Sequence, residues 1–398
     1  MHAKVETGRA NAAKPKLTIM LVAGEPSGDQ LGAQLMAGLK TLAGDTVHIV
    51  GVGGEAMTKE GLDSLFPLDA TAVMGLREVV PRIPAILRRV RKATDFALRT
   101  RPDLVVLIDS PDFTHRIARR LKRVDRTIRT ANYAPPQVWA SRSYRAKAMA
   151  HYFDAVLTLL PFEAPFFERN GLKAYFVGYP ILERSKLIKG GSAFRRRYNI
   201  APDAPLLAVL PGSRRNEIRF ILPPFKKTVE SLAPEFPGLV CVIPTVGHVA
   251  EHVRRSARDW PTPVHVIDNE EEKFAAFDAA DAALAASGTV TSELALAKTP
   301  MVVGYRLGRV TYALAHRLLR VPYIVLINLI LNRLAVPEFL QSKCEPKTLA
   351  RALKPLLTPS PERAAQLHDL EEAVRAFSAG GESPSLQAAR AVLELARR

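Results

Sequence analysis

The chain has 398 residues, 47% hydrophobic and 24% charged, which excludes a disordered or fibrous protein and exceeds what one hydrophobic core usually organises. Its two cysteines, Cys241 and Cys344, exclude a disulfide framework, have no metal-ligand spacing and fit a reducing cytoplasm, and nothing in the chain asks for a metal or a cofactor. A net charge of +17 asks for an anionic partner, but with 7% aromatics and no helix-turn-helix, zinc-finger or RNP-type pattern nucleic acid is set aside, leaving a membrane surface or a phosphorylated substrate.

Residues 1–16 are polar, lack the apolar core of a signal peptide and read as a disordered tail. Leu17 to Ala23 is a continuous apolar strand that breaks on Gly24-Glu25-Pro26-Ser27-Gly28-Asp29, and residues 30–42 follow with Leu31, Leu35, Leu39 and Leu42 at helical spacing. Val47 to Val50 is a second strand, running into Gly51-Val52-Gly53-Gly54. From Arg82 to Arg101 the spacing predicts a basic amphipathic helix, with Ile86, Leu87, Val90, Ala97 and Leu98 on the apolar side. Arg88, Arg89, Arg91, Lys92 and Arg99 flank them, as on a lipid-docking face, for which Arg88, Arg89, Arg91 and Lys92 are the candidates, or on a core-facing helix with a solvated back. Leu104 to Ile108 is a third strand, delivering Asp109-Ser110-Pro111-Asp112, and strands follow at 130–133, 155–159 and 175–177.

The pattern weakens around residues 182–192, and Ala201-Pro202-Asp203-Ala204-Pro205 reads as a turn into a second alternation. Its strands are 206–210, 239–243, 264–267, 282–285 and 301–303, followed by a basic stretch from Arg306 to Arg320. The most apolar late segment, Tyr323 to Val336, is broken by Asn328, Asn332 and Arg333, so nothing approaches the ~20 residues of a membrane span. Residues 362–398 are Ala- and Leu-rich and helical. The expectation is an α/β protein of two Rossmann-like domains with parallel sheets facing a cleft. The first covers 17–190 and the second 191–361, and the sequence leaves open whether the helical segment 362–398 packs back on the first domain.

In such sheets, ligands bind beyond the carboxyl ends of the strands. The strand-and-glycine turn at 17–29 recurs at 206–216, and Gly212, Ser213 and Arg214 there suit a diphosphate, or form a plain strand-to-helix turn. Ser287, Gly288 and Thr289, with Glu293 one turn on, suit phosphate and ribose hydroxyls, or simply cap a helix. Asp109 and Asp112 follow a strand directly, where a carboxylate serves as general base or as a cap. His248 and His252 share a helix spacing but have no third ligand, which suits surface residues better than a metal site.

Taken in order, GEPSGDQLGA (24–33), GVGGEAM (51–57), VMGLREVV (73–80), IDSPDF (108–113) and APPQVWASR (134–142) resemble the lipid-A-disaccharide synthase family. LPFEAPFF (160–167), VGYP (177–180), LPGSR (210–214), ASGTVTSELALAKTPMVVGYR (286–306) and VPEFLQ (336–341) continue the resemblance. It implies a GT-B glycosyltransferase joining UDP-2,3-diacylglucosamine to 2,3-diacylglucosamine 1-phosphate through a β-1,6 linkage, at the cytoplasmic face of the inner membrane. By the same resemblance Asp109 is the leading base, with Asp112 and Glu25 beside it. Ser27, Gly28 and Asp29 form the cleft loop, and Arg214, Ser287, Gly288, Thr289, Glu293 and Asn328 belong to the UDP half. The acidic first turn repels phosphate, so Glu25 and Asp29 read as the sugar side. The chain departs from the family pattern at Ser141, Ile327 and Asn332. The competing readings are another two-domain UDP-sugar enzyme, such as a UDP-N-acetylglucosamine 2-epimerase or a soluble-acceptor transferase, and a non-catalytic binder using its charge alone.

Overall fold

The continuous apolar runs become the inner strands of two parallel sheets in a computed structural model that describes residues 17–68, 83–141, 143–308, 312 and 321–398. The predicted tail, the VMGLREVV motif and most of the basic stretch from Arg306 to Arg320 lie outside the described residues. The first sheet holds β1 (Leu17–Ala23), β2 (Val47–Val52), β3 (Leu104–Ile108), β4 (Thr130–Tyr133), β5 (Ala155–Thr158) and β6 (Lys173–Phe176), in the order β2-β1-β3-β4-β5-β6. The second holds β7 (Leu206–Leu210), β8 (Val240–Pro244), β9 (Val264–Ile267), β10 (Ala282–Ala285), β11 (Met301–Tyr305) and β12 (Glu338–Leu340), in the order β12-β11-β10-β7-β8-β9. Every residue of β3, β4, β5, β7, β8 and β10 is buried, as strands covered by helices on both faces must be. Only β12 escaped the sequence: three half-buried residues with no apolar run to announce them.

The strand orders locate the sites. In the first sheet β1 lies between β2 and β3, with Ala23 registered on Ile108, so the turns leaving β1 and β3 emerge side by side. In the second sheet β7 lies between β8 and β10, with Leu210 registered on Ala285. Each pair is a switch point, where successive connections depart in opposite directions and leave a crevice at the carboxyl edge.

The helical segment 362–398 divides. Helix Pro361–Ala376, capped by Ser360 on the Arg363 amide, packs on the second sheet through Leu370 and Ala373. There the buried Gln366 accepts from the Met301 amide at 2.6 Å. The helix Pro384–Arg397 crosses to the first sheet, where Ala388, Ala389 and Val392 share a core with Ile19, Leu35 and Leu39. The two crossings between the units are tied together: the Tyr179 amide donates to the Phe377 carbonyl at 2.8 Å, and the Ser385 amide to Glu183 at 2.8 Å. Among the described residues no helix is long and apolar enough to cross a membrane.

The returning helix sits so close that a Cβ at Gly38 would lie 2.6 Å from the Ser385 carbonyl oxygen. Gly38→Ala is expected to lose about 1–3 kcal/mol of stability, read as a lower denaturation midpoint together with faster amide exchange across 384–397.

Candidate active site

At the first switch point, the helix Pro26–Ala43 starts directly after Glu25, with Pro26 at its first position. Gly24 is obligatory there, because a Cβ would fall 2.5 Å from the side chain of Ser110. That approach lets the β1 and β3 turns interlock. Ser27 Oγ donates to Asp109 Oδ2 at 2.8 Å, the Ser110 amide donates to Asp109 Oδ1 at 2.7 Å, and Ser110 Oγ donates to Glu25 Oε1 at 3.2 Å. Asp109 and Ser110 both have left-handed backbones, with φ of 51° and 43°, costing on the order of 1–3 kcal/mol each and kept where surroundings enforce them. Asp112 is exposed in the first turn of the next helix, Pro111–Val124. Glu25, Ser27, Asp109 and Ser110 thus form one hydrogen-bonded group.

Asp29 does not join it. The sequence placed its carboxylate among sugar hydroxyls, but it is 5% exposed and turned inward. It accepts from the amides of Gly54, Ala56 and Met57 at 2.6, 2.8 and 3.1 Å, holding the short helix Glu55–Lys59 after β2. Lying one turn into its own helix, it faces the turn after β2.

At the second switch point a cavity of about 310 Å³ is lined by Gly212, Ser213, Arg214, Ser287, Gly288, Thr289 and Glu293, so seven of the eight expected nucleotide-side residues meet there. The turn amides are not vacant, however. Glu217 Oε2 accepts from the Ser213 and Arg214 amides at 3.1 and 3.2 Å, while Arg214 Nη1 donates to Glu217 Oε1 at 2.8 Å. The cap runs one way, because the Arg214 guanidinium can only donate: Glu217, three residues after the capping position, accepts from the turn amides, a spacing that was readable in the chain. Glu293 is 4% exposed and held by Arg184 at 2.7 Å and Lys273 at 3.1 Å. Lys273 and Thr245 also line the cavity, and the Thr245 hydroxyl is buried with no hydrogen-bond partner. Neither was foreseen, although Thr245 follows β8 under the same strand-end rule.

The eighth residue, Asn328, is fully buried beside this site, not in it. Its Oδ1 accepts from the Ala335 and Val336 amides at 2.9 and 2.8 Å, and its Nδ2 donates to the Val336 carbonyl at 2.8 Å, pinning the loop after helix Leu326–Leu331. That helix ends on Asn332 at φ 51°, a left-handed position that Asn tolerates well, which accounts for one departure from the family pattern.

Of the basic residues of the helix Ile83–Thr100, the four between Arg88 and Lys92 separate into two pairs. Arg89 and Lys92 lie over the Phe66 ring, 5.7 Å from its centroid, and Lys92 donates to the Leu65 carbonyl at 2.7 Å. Arg88 and Arg91 instead line a groove of about 640 Å³ opposite Arg116, Arg119, Arg120 and Arg123 of helix Pro111–Val124. That second arginine row was legible in HRIARRLKRV as a repeat at helical spacing. Beneath it His115 is 6% exposed, and its Nδ1 lies 3.2 Å from the Tyr152 hydroxyl. Burial, with the Arg119 charge beside it, lowers its pKa to about 4.

A model of the family described as lipid-A-disaccharide synthetase matches residues 19–392, across both sheets. The lipid-A-disaccharide synthase of Rhodospirillum centenum is 46% identical over 379 residues, 95% of this chain and 94% of the relative. That of Paramagnetospirillum magneticum is 45% identical over 384 residues, 96% and 98% of the two chains. Among solved structures, a UDP-GlcNAc 2-epimerase from Neisseria meningitidis bound to UDP-GlcNAc superposes with a TM-score of 0.57 over 95% of this chain and 99% of that one. At 12% identity this is a likeness of fold alone.

His115 makes stability depend on pH with a definite sign. Its folded pKa of about 4 lies below the ordinary ~6.5, so the unfolded chain binds the proton first and stability falls as pH drops from 6.5 towards 4. Urea midpoints are expected to fall between pH 7 and pH 5 by the equivalent of about 2 kcal/mol from this group, and His115→Gln is expected to flatten that slope.

Proposed function

The chain belongs to the lipid-A-disaccharide synthetase family, and from that membership we propose how its two switch points divide the work of a glycosyl transfer. The enzyme is a glycosyltransferase forming the lipid A disaccharide. The donor assigned to it is UDP-2,3-diacylglucosamine and the acceptor is 2,3-diacylglucosamine 1-phosphate, whose 6-hydroxyl becomes the β-1,6 bridge. The observation that supports this division is the contrast between the crevices: a fixed carboxylate at one, and a pocket lined by Arg214 and Lys273 at the other.

Asp109 is the general base. Ser27 and the Ser110 amide each engage one of its oxygens, fixing the carboxylate and leaving lone pairs to receive a proton. The acceptor 6-hydroxyl gives its proton to Asp109 as its oxygen attacks the anomeric carbon of the donor. The bond to UDP breaks on the opposite face, and the diphosphate leaves with the electron pair. Glu25, joined to Asp109 through Ser110, and Asp112 orient the acceptor hydroxyls.

Charge developing on the departing diphosphate meets Arg214 and the amino-terminal end of helix Thr289–Leu296, preceded by Ser287 and Gly288. Because Glu217 already holds the Ser213 and Arg214 amides, the diphosphate engages the remaining guanidinium nitrogens of Arg214. Glu293, fixed by Arg184 and Lys273, accepts from ribose hydroxyls, and Asn328 acts through the loop it pins. Gly28 keeps the first helix close to β3, and Asp29 supports the site from behind.

On the outside of the first unit, Arg88 and Arg91 with the exposed Ile83 and Leu87 form a docking face for an anionic bilayer. Arg89 and Lys92, committed to Phe66, add only to the surrounding field. This face holds the enzyme peripherally at the cytoplasmic surface of the inner membrane, where both lipid substrates lie.

Incubation with the acylated UDP-sugar and the acylated sugar phosphate is expected to yield disaccharide 1-phosphate and UDP; turnover confined to non-acylated substrates would overturn the reading. Asp109→Asn is expected to keep calorimetric UDP affinity and to lower kcat by about 10²-fold or more. Arg214→Ala is expected to raise the UDP Kd by about tenfold or more, and an unchanged Kd would remove Arg214 from the diphosphate site.

A further inference from the structure

One cavity has no task in that scheme. It has a volume of about 200 Å³, opens beside Asp112, and is lined by Arg116, Arg119 and Arg145 over His115 and Tyr152. Through Arg116 and Arg119 it continues into the groove between the two arginine-bearing helices.

Two of the three guanidinium groups, those of Arg116 and Arg119, are held in place. The Arg119 guanidinium lies 4.7 Å from the Tyr152 ring centroid and donates to the Tyr152 hydroxyl at 3.1 Å. Tyr152 is 7% exposed and meets the His115 ring edge-on, giving Arg119 a rigid platform. Arg116 Nε donates to the Asp112 carbonyl at 2.7 Å, which orients the guanidinium and leaves its two terminal nitrogens for a ligand. His115, with its pKa lowered to about 4, is neutral here. Three guanidinium groups therefore face one lining carboxylate, Asp112, an excess of positive charge suited to a group of nearly two negative charges.

The position is informative too. Arg116 lies one turn after Asp112, about 6 Å along the helix axis, which is one sugar ring away from the carboxylates at the helix start. A hexosamine presenting its 6-hydroxyl to Asp109 carries its anomeric substituent across that ring. We infer that this pocket seats the anomeric phosphomonoester of the acceptor sugar, with Arg116, Arg119 and Arg145 as its ligands; the inference rests on the reaction assigned above. Charge selects the phosphorylated acceptor and, by fixing the far end of the ring, aims the 6-hydroxyl at the base.

The test compares wild type with R116Q/R145Q, both exposed positions, with thermal melting to confirm an unchanged fold. Turnover is measured with the acceptor carrying or lacking its 1-phosphate, UDP and glucosamine 1-phosphate binding by calorimetry, and partitioning on phosphatidylglycerol/phosphatidylcholine vesicles. The double variant is expected to lose at least tenfold in kcat/KM on the phosphorylated acceptor and little on the phosphate-free one, with UDP affinity and vesicle partitioning unchanged. Equal losses on both acceptors would reduce the arginines to structural support and overturn the inference. Weaker vesicle partitioning with unaltered discrimination would also overturn it, assigning the pocket to bilayer phosphates. If wild type forms no disaccharide, the assigned reaction is what fails. The calorimetric arm still decides the pocket, because glucosamine 1-phosphate binding no tighter to wild type than to R116Q/R145Q refutes the phosphate seat.

Discussion

The organising constraint is a property of parallel sheets: where neighbouring strands send their connections to opposite faces, the carboxyl edge splits and cannot be covered by either connection. This chain has two such splits, between β1 and β3 and between β7 and β10. Each is bordered by strands that are apolar up to their carboxyl ends, so the first polar residues beyond those ends are gathered by the backbone itself. The chemistry is placed by strand register, and the side chains need only be short and correctly turned.

The two splits are built differently. The first is rigid and acidic, with Gly24 pressed against Ser110, two successive left-handed residues and a carboxylate held at both oxygens. The second is a basin of charges already paired internally, Arg214 with Glu217 and Lys273 with Glu293. A carboxylate already fixed at both oxygens loses little further freedom on meeting a ligand. A basin of paired charges stays neutralised until a more highly charged group competes for the cations.

Much of this was legible because parallel strands covered on both faces must be apolar runs, and apolar runs are the plainest signal in a sequence. The turns after β1, β3, β7 and β10 were equally plain, since small and polar residues interrupt those runs abruptly. What was hidden depended on direction rather than identity. Glu25 and Asp29 share one loop, yet the helix beginning at Pro26 sends one towards the crevice and the other under Gly54. Asn328 was expected on the nucleotide side but spends its side-chain amide on the following loop and on Glu338 of β12. Lys273 reaches the pocket from a helix whose sequence carries no mark of a site. β12 and the break between Ala376 and Pro384 lacked apolar periodicity, because neighbours from distant parts of the chain define them.

The crossing of helix Pro384–Arg397 onto the first sheet also bears on the order in which the protein can be made. Its partners in that core, Ile19, Leu35 and Leu39, are synthesised at the start, but the helix that seals them follows β6 by some two hundred residues. At ordinary ribosomal rates the interval is on the order of ten to forty seconds, during which the first unit exposes an uncovered apolar face. The second unit has no such debt to the future, since everything in its core is contiguous between Phe194 and Phe277 or arrives by Ala373. The unit that appears first on the ribosome is therefore the one completed last, and its safe passage depends on the second unit delivering the final helix.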